Sequence, residues 1–181
     1  METRKMISVS KFMSLVLRHK PAAAEISLDK GGWASTTALI KGMNKAGHAV
    51  DLNDLKYIVE SNDKQRFKFS EDFSEIRANQ GHSVAVAVEM DERKPPNVLF
   101  HGTATRFLAA IKQDGLIAKN RLHVHLSSDR ETAEKVGARH GKSVILTINS
   151  AKMYNDGKIF YISENGVWLT ADVPVEYIFN F

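Results

Sequence analysis

Arg66-Phe67-Lys68-Phe69-Ser70-Glu71-Asp72-Phe73-Ser74-Glu75-Ile76-Arg77-Ala78 is the stretch on which the fold turns. Up to this point apolar residues recur at helical spacing; here the period drops to two. Arg66-Phe67-Lys68-Phe69 alternates, Glu71-Asp72-Phe73-Ser74 turns, and Glu75-Ile76-Arg77-Ala78 returns as the second arm of a hairpin. Upstream lie three helical segments. The first is expected to begin near Ser8 or Ser10, either of which can cap it, with Phe12, Leu15 and Val16 on one face. Pro21 stops it, because the residue before a proline is pushed out of the helical region, and this leaves Arg18-His19 at the helix end. The second covers residues 35–45 with Gly47 closing it, and the third residues 53–61, with Leu52, Leu55, Ile58 and Val59 apolar. Three short helices followed by a hairpin describe a winged-helix module, a common nucleic-acid binder.

Beyond the hairpin, residues 83–90 read as a further strand and residues 91–96, charged and proline-rich, as a linker. The rest mixes strands with short helices. Strands are expected at 98–101, 122–127, 144–148, 159–162, 167–170 and 176–179. Helices are expected at 105–113, closed by Gly115, and at 129–136, with Asp129 near its start. The fold class is therefore α+β, with an N-terminal winged-helix lobe over residues 1–92 and a strand-rich lobe over residues 93–181.

Composition narrows the function. At 181 residues and 43% hydrophobic, the chain can bury one sizeable core or two small ones, and 25% charged residues do not indicate disorder. The absence of cysteine excludes disulfides, cysteine-based zinc sites and thiol catalysis. The polar start is unlike a signal peptide and the apolar runs are too short to span a bilayer, so a cytoplasmic protein with no membrane partner is expected. The net charge of +4 is uneven: residues 1–20 carry five basic residues and one acidic, and residues 93–142 carry ten and four. Two basic segments, one in each half, suit a polyanionic partner, although a mild positive charge also aids solubility alone. No coiled-coil heptads are evident, and a monomer is expected.

Several short strings can carry chemistry. His101-Gly102-Thr103 ends a strand and precedes a helix; its glycine lets a ligand come close to the backbone, and its neighbours offer hydrogen-bonding groups. A plain strand-to-helix turn explains the string equally well, and it is not a P-loop. His123-Val124-His125-Leu126-Ser127 puts two histidines on one strand face, without a third metal ligand of the right type, so no metal is expected. Asn79-Gln80-Gly81-His82-Ser83 is either a polar turn or a loop facing the same pocket as the arginines of the hairpin. Arginine recurs at Arg18, Arg66 and Arg139. A guanidinium fork matches phosphate oxygens and stays charged at any working pH, although most such residues are solvated surface.

Taken in order, these strings resemble the RNA 2′-phosphotransferase family of NAD-dependent enzymes, named for removing the 2′-phosphate of spliced tRNA. The resemblance rests on residues 11–21, Gly32-Trp33-Ala34, Lys64-Gln65-Arg66-Phe67, residues 77–83, Leu99-Phe100-His101-Gly102-Thr103, His125-Leu126-Ser127, residues 136–141 and residues 164–170, and covers nearly the whole chain. It implies an ADP-ribosyltransferase-like second lobe that binds NAD as co-substrate. It also implies an RNA partner bearing a 2′-phosphate, and a catalytic set of Arg18, His19, Arg66 and Arg139. Arg130, on the same predicted helix segment, competes for the fourth place. On the NAD side it implies His101, Gly102, Thr103, His125, Ser127 and Val167. Val167 stands where many ADP-ribosyltransferases carry a glutamate, and Glu164 is close but not at that position.

The implied reaction first joins the RNA 2′-phosphate to the nicotinamide ribose, expelling nicotinamide. It then releases RNA with a 2′-hydroxyl and ADP-ribose 1″,2″-cyclic phosphate. Two alternatives stand beside it: ADP-ribosylation of a nucleic-acid 5′-phosphate or of a protein, and a non-enzymatic winged-helix nucleic-acid binder.

Overall fold

The computed structural model describes residues 3–62, 64–86 and 90–181. The chain is α+β and divides into two compact units, Met1–Glu89 and Met90–Phe181.

In the first unit, α1 (Thr3–Arg18) starts well before the serines expected to cap it. The longer helix buries Val9, Met13, Val16 and Leu17, a stripe one residue round from the one anticipated; Phe12 is only partly covered and stacks on His48 at 4.4 Å. After a 3-10 turn at Pro21–Ala24 come β1 (Trp33–Ser35), α2 (Thr36–Lys45) and α3 (Leu52–Glu60). Ser35 caps α2 through its hydroxyl, and Asp51 with Asp54 forms a reciprocal capping box on α3. Gly47, at φ +88°, turns the chain out of α2. The hairpin forms as read: β2 (Phe67–Phe69) pairs antiparallel with β3 (Glu75–Ala78), Phe67 opposite Ala78 and Phe69 opposite Ile76. A third strand was not anticipated, since β1 pairs with the other edge of β3 and puts Trp33 opposite Arg77. Leu39, Met43, Leu55, Ile58, Phe67 and Ile76 join the α1 stripe in one core.

The strand expected over residues 83–90 does not form over residues 83–86, and residues 87–89 lie outside those described. The reason is a competing hydrogen bond: the Ser83 and Val84 amides donate to the carbonyl of Arg18, at 2.9 and 3.4 Å, instead of to a neighbouring strand. The expected linker also changes role at its start. Asp91 and Glu92 form β4 (Asp91–Glu92), a charged edge strand.

The second unit carries two antiparallel sheets. One orders β10 (Ile178–Phe179), β7 (Ser143–Ile148) and β5 (Leu99–Ala104). The other orders β4, β8 (Phe160–Ile162), β9 (Trp168–Thr170) and β6 (Val124–Leu126). A single bridge between Phe100 and Ser127 links β5 to the end of β6. The helices are α4 (Leu108–Asp114), α5 (Arg130–Gly137) and α6 (Ser150–Asn155), the last not anticipated. Asp129 caps α5 through both carboxylate oxygens. Backbone packs on backbone where α5 crosses β5: a Cβ on Gly102 would lie 1.6 Å from the Ala133 carbonyl oxygen, and one on Gly137 2.6 Å from that of Thr103. Leu99, Leu146, Ile148, Met153, Phe160 and Trp168 fill the core. Among the described residues no helix is long and apolar enough to cross a membrane.

Candidate functional site

Three of the four basic residues singled out in the sequence gather on the first unit. Arg18 closes α1, where its charge meets the negative end of the helix dipole. Its Nη2 donates to the Arg66 carbonyl at 3.4 Å, and its guanidinium stands 5.9 Å from the Phe67 ring centre. The Arg66 side chain is steadied from the opposite direction, by Nη1 donating to Asn62 Oδ1 at 3.2 Å. His19, half-buried just past the helix, has its Nδ1 2.9 Å from Ser83 Oγ.

The segment from Asn79 to Val84 ties these groups together. The Asn79 amide donates to the Arg66 carbonyl at 3.0 Å, and Asn79 Nδ2 donates to the Gln65 carbonyl at 2.6 Å. The second bond pins Gln65 in the left-handed region, φ +41°, so the turn that presents Arg66 is held in a shape an ordinary residue rarely takes. At the other end of the segment, Ser83 and Val84 hold Arg18 and His19. Two guanidinium groups and an imidazole on one scaffold suit a phosphate group.

Beneath them lies a buried layer that sequence reasoning missed. Arg77 is 4% exposed, stacked 4.6 Å from the Trp33 ring centre across the β1–β3 pair. His82 is 3% exposed, and its Nε2 is buried with no hydrogen-bond partner. Burial first, then neighbouring positive charge, that of Arg18 foremost, pushes its pKa down to about 4, so the ring is neutral at physiological pH. Alternation alone places Arg77 on a solvated strand face; the signal that could have found it is Trp33, a large ring one strand away.

The second unit holds the other candidates. His101 Nδ1 donates to the His125 carbonyl at 3.0 Å, bridging β5 and β6. Burial holds the His101 imidazole below its ordinary pKa, and the charges of Arg121 and His140 push the same way. His125 lies on the same strand face as His123, with its Nδ1 3.1 Å from the His123 carbonyl and 3.5 Å from Arg121 Nη1. Arg121, close to both histidines, was not singled out in the sequence. Ser127 exchanges both backbone hydrogen bonds with Phe100 at 2.8 Å, and its Oγ accepts from the Asp129 amide.

Val167 precedes β9, outside the pairing of β6 with β9, and its carbonyl and amide both bond to Ser163. His101 and Ser127 lie where β5 meets β6. Thr103 is 6% exposed, and the space beside Gly102 is taken by α5. Arg139 belongs to this unit: it is exposed, on a 3-10 turn just beyond α5, whereas Arg130 is the first residue of that helix.

Arginine forks with an imidazole on one unit, and a histidine-lined sheet junction on the other, suit a protein that handles a phosphate ester. The comparisons with known proteins agree on one family. Residues 4–172 match the model of the RNA 2′-phosphotransferase, Tpt1 / KptA family. A probable RNA 2′-phosphotransferase of Acaryochloris marina is 54% identical over 170 residues, 94% of either chain. The RNA 2′-phosphotransferase of Escherichia coli is 50% identical over 176 residues, 97% of this chain and 96% of that one. A probable RNA 2′-phosphotransferase of Fusobacterium nucleatum is 47% identical over 173 residues. The chain belongs to the RNA 2′-phosphotransferase family.

Proposed function

We propose that this protein is an RNA 2′-phosphotransferase that uses NAD as co-substrate. The first unit acts as a winged-helix lobe toward RNA, and the second as an ADP-ribosyltransferase-like lobe toward NAD. The observation that carries the reading is the Arg18–His19–Arg66 group, built on one scaffold by the 79–84 segment. Family membership supports transfer of an RNA 2′-phosphate, and NAD as co-substrate is what the resemblance implies.

Overall, an internal RNA 2′-phosphate and NAD give RNA with a 2′-hydroxyl, nicotinamide and ADP-ribose 1″,2″-cyclic phosphate. NAD supplies an anomeric carbon with nicotinamide as its leaving group. A phosphate monoester is already anionic near neutral pH, so as nucleophile it needs orientation rather than a strong base. Apolar Val167 is consistent with that. Arg18, His19 and Arg66 hold the phosphate oxygens and stabilise charge that builds on them when the RNA leaves, and Arg139 is the fourth catalytic residue that the family resemblance implies. On the dinucleotide side, His101, with Nδ1 committed to the His125 carbonyl, is rigid enough to orient a sugar hydroxyl, and Arg121 is placed for an anionic oxygen. His125, Ser127, Gly102, Thr103 and Val167 complete that side.

The test is to incubate the protein with a short RNA carrying one internal 2′-phosphate, with and without NAD. NAD-dependent conversion to 2′-hydroxyl RNA, with nicotinamide and the cyclic phosphate in equal amounts, is the expected result. A stable ADP-ribose adduct without cyclic phosphate would favour a plain ADP-ribosyltransferase. Binding without turnover at any NAD concentration would favour a non-enzymatic RNA binder.

A further inference from the structure

The Ser83–His19 contact joins groups 64 residues apart in sequence, on a segment that makes no sheet pairing. Ser83 is held there by its own backbone, since its amide and that of Val84 both donate to the Arg18 carbonyl. The hydroxyl is thus set by the same carbonyl that ends the helix carrying His19. Such an anchored hydroxyl, beside one nitrogen of an imidazole, fixes ring orientation, and the direction of the hydrogen bond sets the tautomer.

A neutral His19 ring satisfies the 2.9 Å contact in two ways. If His19 donates from Nδ1, its Nε2 carries a lone pair, which a phosphate oxygen repels. If the Ser83 hydroxyl donates to Nδ1, Nε2 carries the hydrogen and is a donor. A phosphate dianion offers acceptors alone, so of the two neutral forms the second is the one that binds it, and an imidazolium, with a hydrogen on Nδ1 as well, is the competing state. His82, its immediate neighbour in sequence, cannot take over the task, because it is buried.

Resting on the reading of His19 as a phosphate-binding residue, we propose that Ser83 is its positioning residue: the Ser83 hydroxyl donates to Nδ1 and holds His19 as the Nε2–H tautomer that receives the RNA 2′-phosphate. Ser83 does not itself touch the reacting atoms. Its effect is carried entirely through the ring of His19.

The test reads the ring directly. In protein labelled with nitrogen-15 in histidine, ring nitrogen shifts at neutral pH report which nitrogen of His19 bears the hydrogen. The expected wild-type pattern is a hydrogen-bearing Nε2 and a bare Nδ1. Ser83→Ala should move the pattern toward the tautomer mixture of free imidazole, and Ser83→Thr, which keeps the hydroxyl, should restore it. In parallel, Ser83→Ala should lower kcat for 2′-phosphate removal on the order of 10-fold, by loss of one orientation contribution, with KM for NAD unchanged. Ser83→Thr should recover most of that loss.

A hydrogen on Nδ1 in the wild type, a pattern unmoved by Ser83→Ala, or a displaced pattern with unchanged kcat would each overturn the proposal. Thermal melting of both variants separates these outcomes from misfolding. If the wild type removes no phosphate, the functional reading fails, while the tautomer measurement still decides the contact.

Discussion

Arg139 and Arg130 sit at opposite ends of α5, both exposed, so burial does not choose between them. The choice comes from what surrounds each. Arg130 stands at the start of the helix, beside the Asp129 cap, where a positive charge meets the positive end of the dipole. Arg139 follows the helix and precedes His140, whose charge reaches His101. Arg139→Ala should therefore lose about 2–4 kcal/mol of transition-state stabilisation, as for removal of one oxyanion donor, while NAD still binds. Single-turnover conversion of 2′-phosphorylated RNA to 2′-hydroxyl RNA, with NAD binding followed by titration, checks this; equal loss in Arg130→Ala with Arg139→Ala active would reverse the assignment. The sequence made Arg18, His19 and Arg66 legible because their strings stand in the order of the family. It gave no role of their own to Arg77 or His82, whose neighbours are far away along the chain, nor to Arg121, although His125 lies only four residues on. Asn79 and Ser83 lie between these cases: the segment was visible as polar, but its bonds to Arg66 and His19 exist only once the chain has folded.

At the scale of elements, the contact of α5 with β5 shows what a short sequence pattern can and cannot convey. Gly102 reads equally well as a ligand approach or a turn, and the structure places the backbone of Ala133 and Gly137 against it. Gly102→Ala must displace the helix or the strand, because the added carbon falls within bonding distance of a carbonyl oxygen. Its overpacking cost should be about 3 kcal/mol or more. Gly157 is the control: it has φ +83° and open space around it, so Gly157→Ala costs only the strain of a left-handed residue, about 1 kcal/mol. Urea unfolding of the two variants compares them, and an equal shift in midpoint would mean that α5 gives way freely. Elements of eight residues or more with a cap, such as α3 and α5, were legible to within a residue or two at either end. β1 and α6 were not: β1, Trp33-Ala34-Ser35, carries one large apolar residue where the anticipated three-residue strands carry two or more, and six residues of α6 give less than two helical turns. The expected strand after Ala78 failed for a different reason: its apolar alternation is real, but its amides bond the end of α1.

For the whole molecule, the buried histidines set a pH limit. His82 in the first unit, and His101 and His123 in the second, are all held below the ordinary imidazole pKa, burial being the largest cause in each. The folded chain then binds fewer protons than the unfolded chain wherever unfolded imidazoles titrate. Stability is therefore highest above that range and falls as the pH drops below about 6.5, the ordinary imidazole value. For His82 the window runs from the ordinary imidazole value of 6.5 down to about 4, where the folded ring itself takes up a proton. Between pH 7 and pH 5 this one group should remove about 2 kcal/mol, and the two histidines of the second unit add losses of the same sign. Chemical denaturation of the wild type at both pH values, set beside His82→Asn, isolates the contribution. The variant should be less sensitive to acid by about 2 kcal/mol over that interval, whatever its stability at pH 7, since Asn does not titrate. A wild type and variant that lose equal stability would mean that His82 is protonated in the folded state well above pH 5. That in turn would place a buried positive charge beside Arg18 and Arg77, strengthening the positive field around the residues proposed to hold the phosphate.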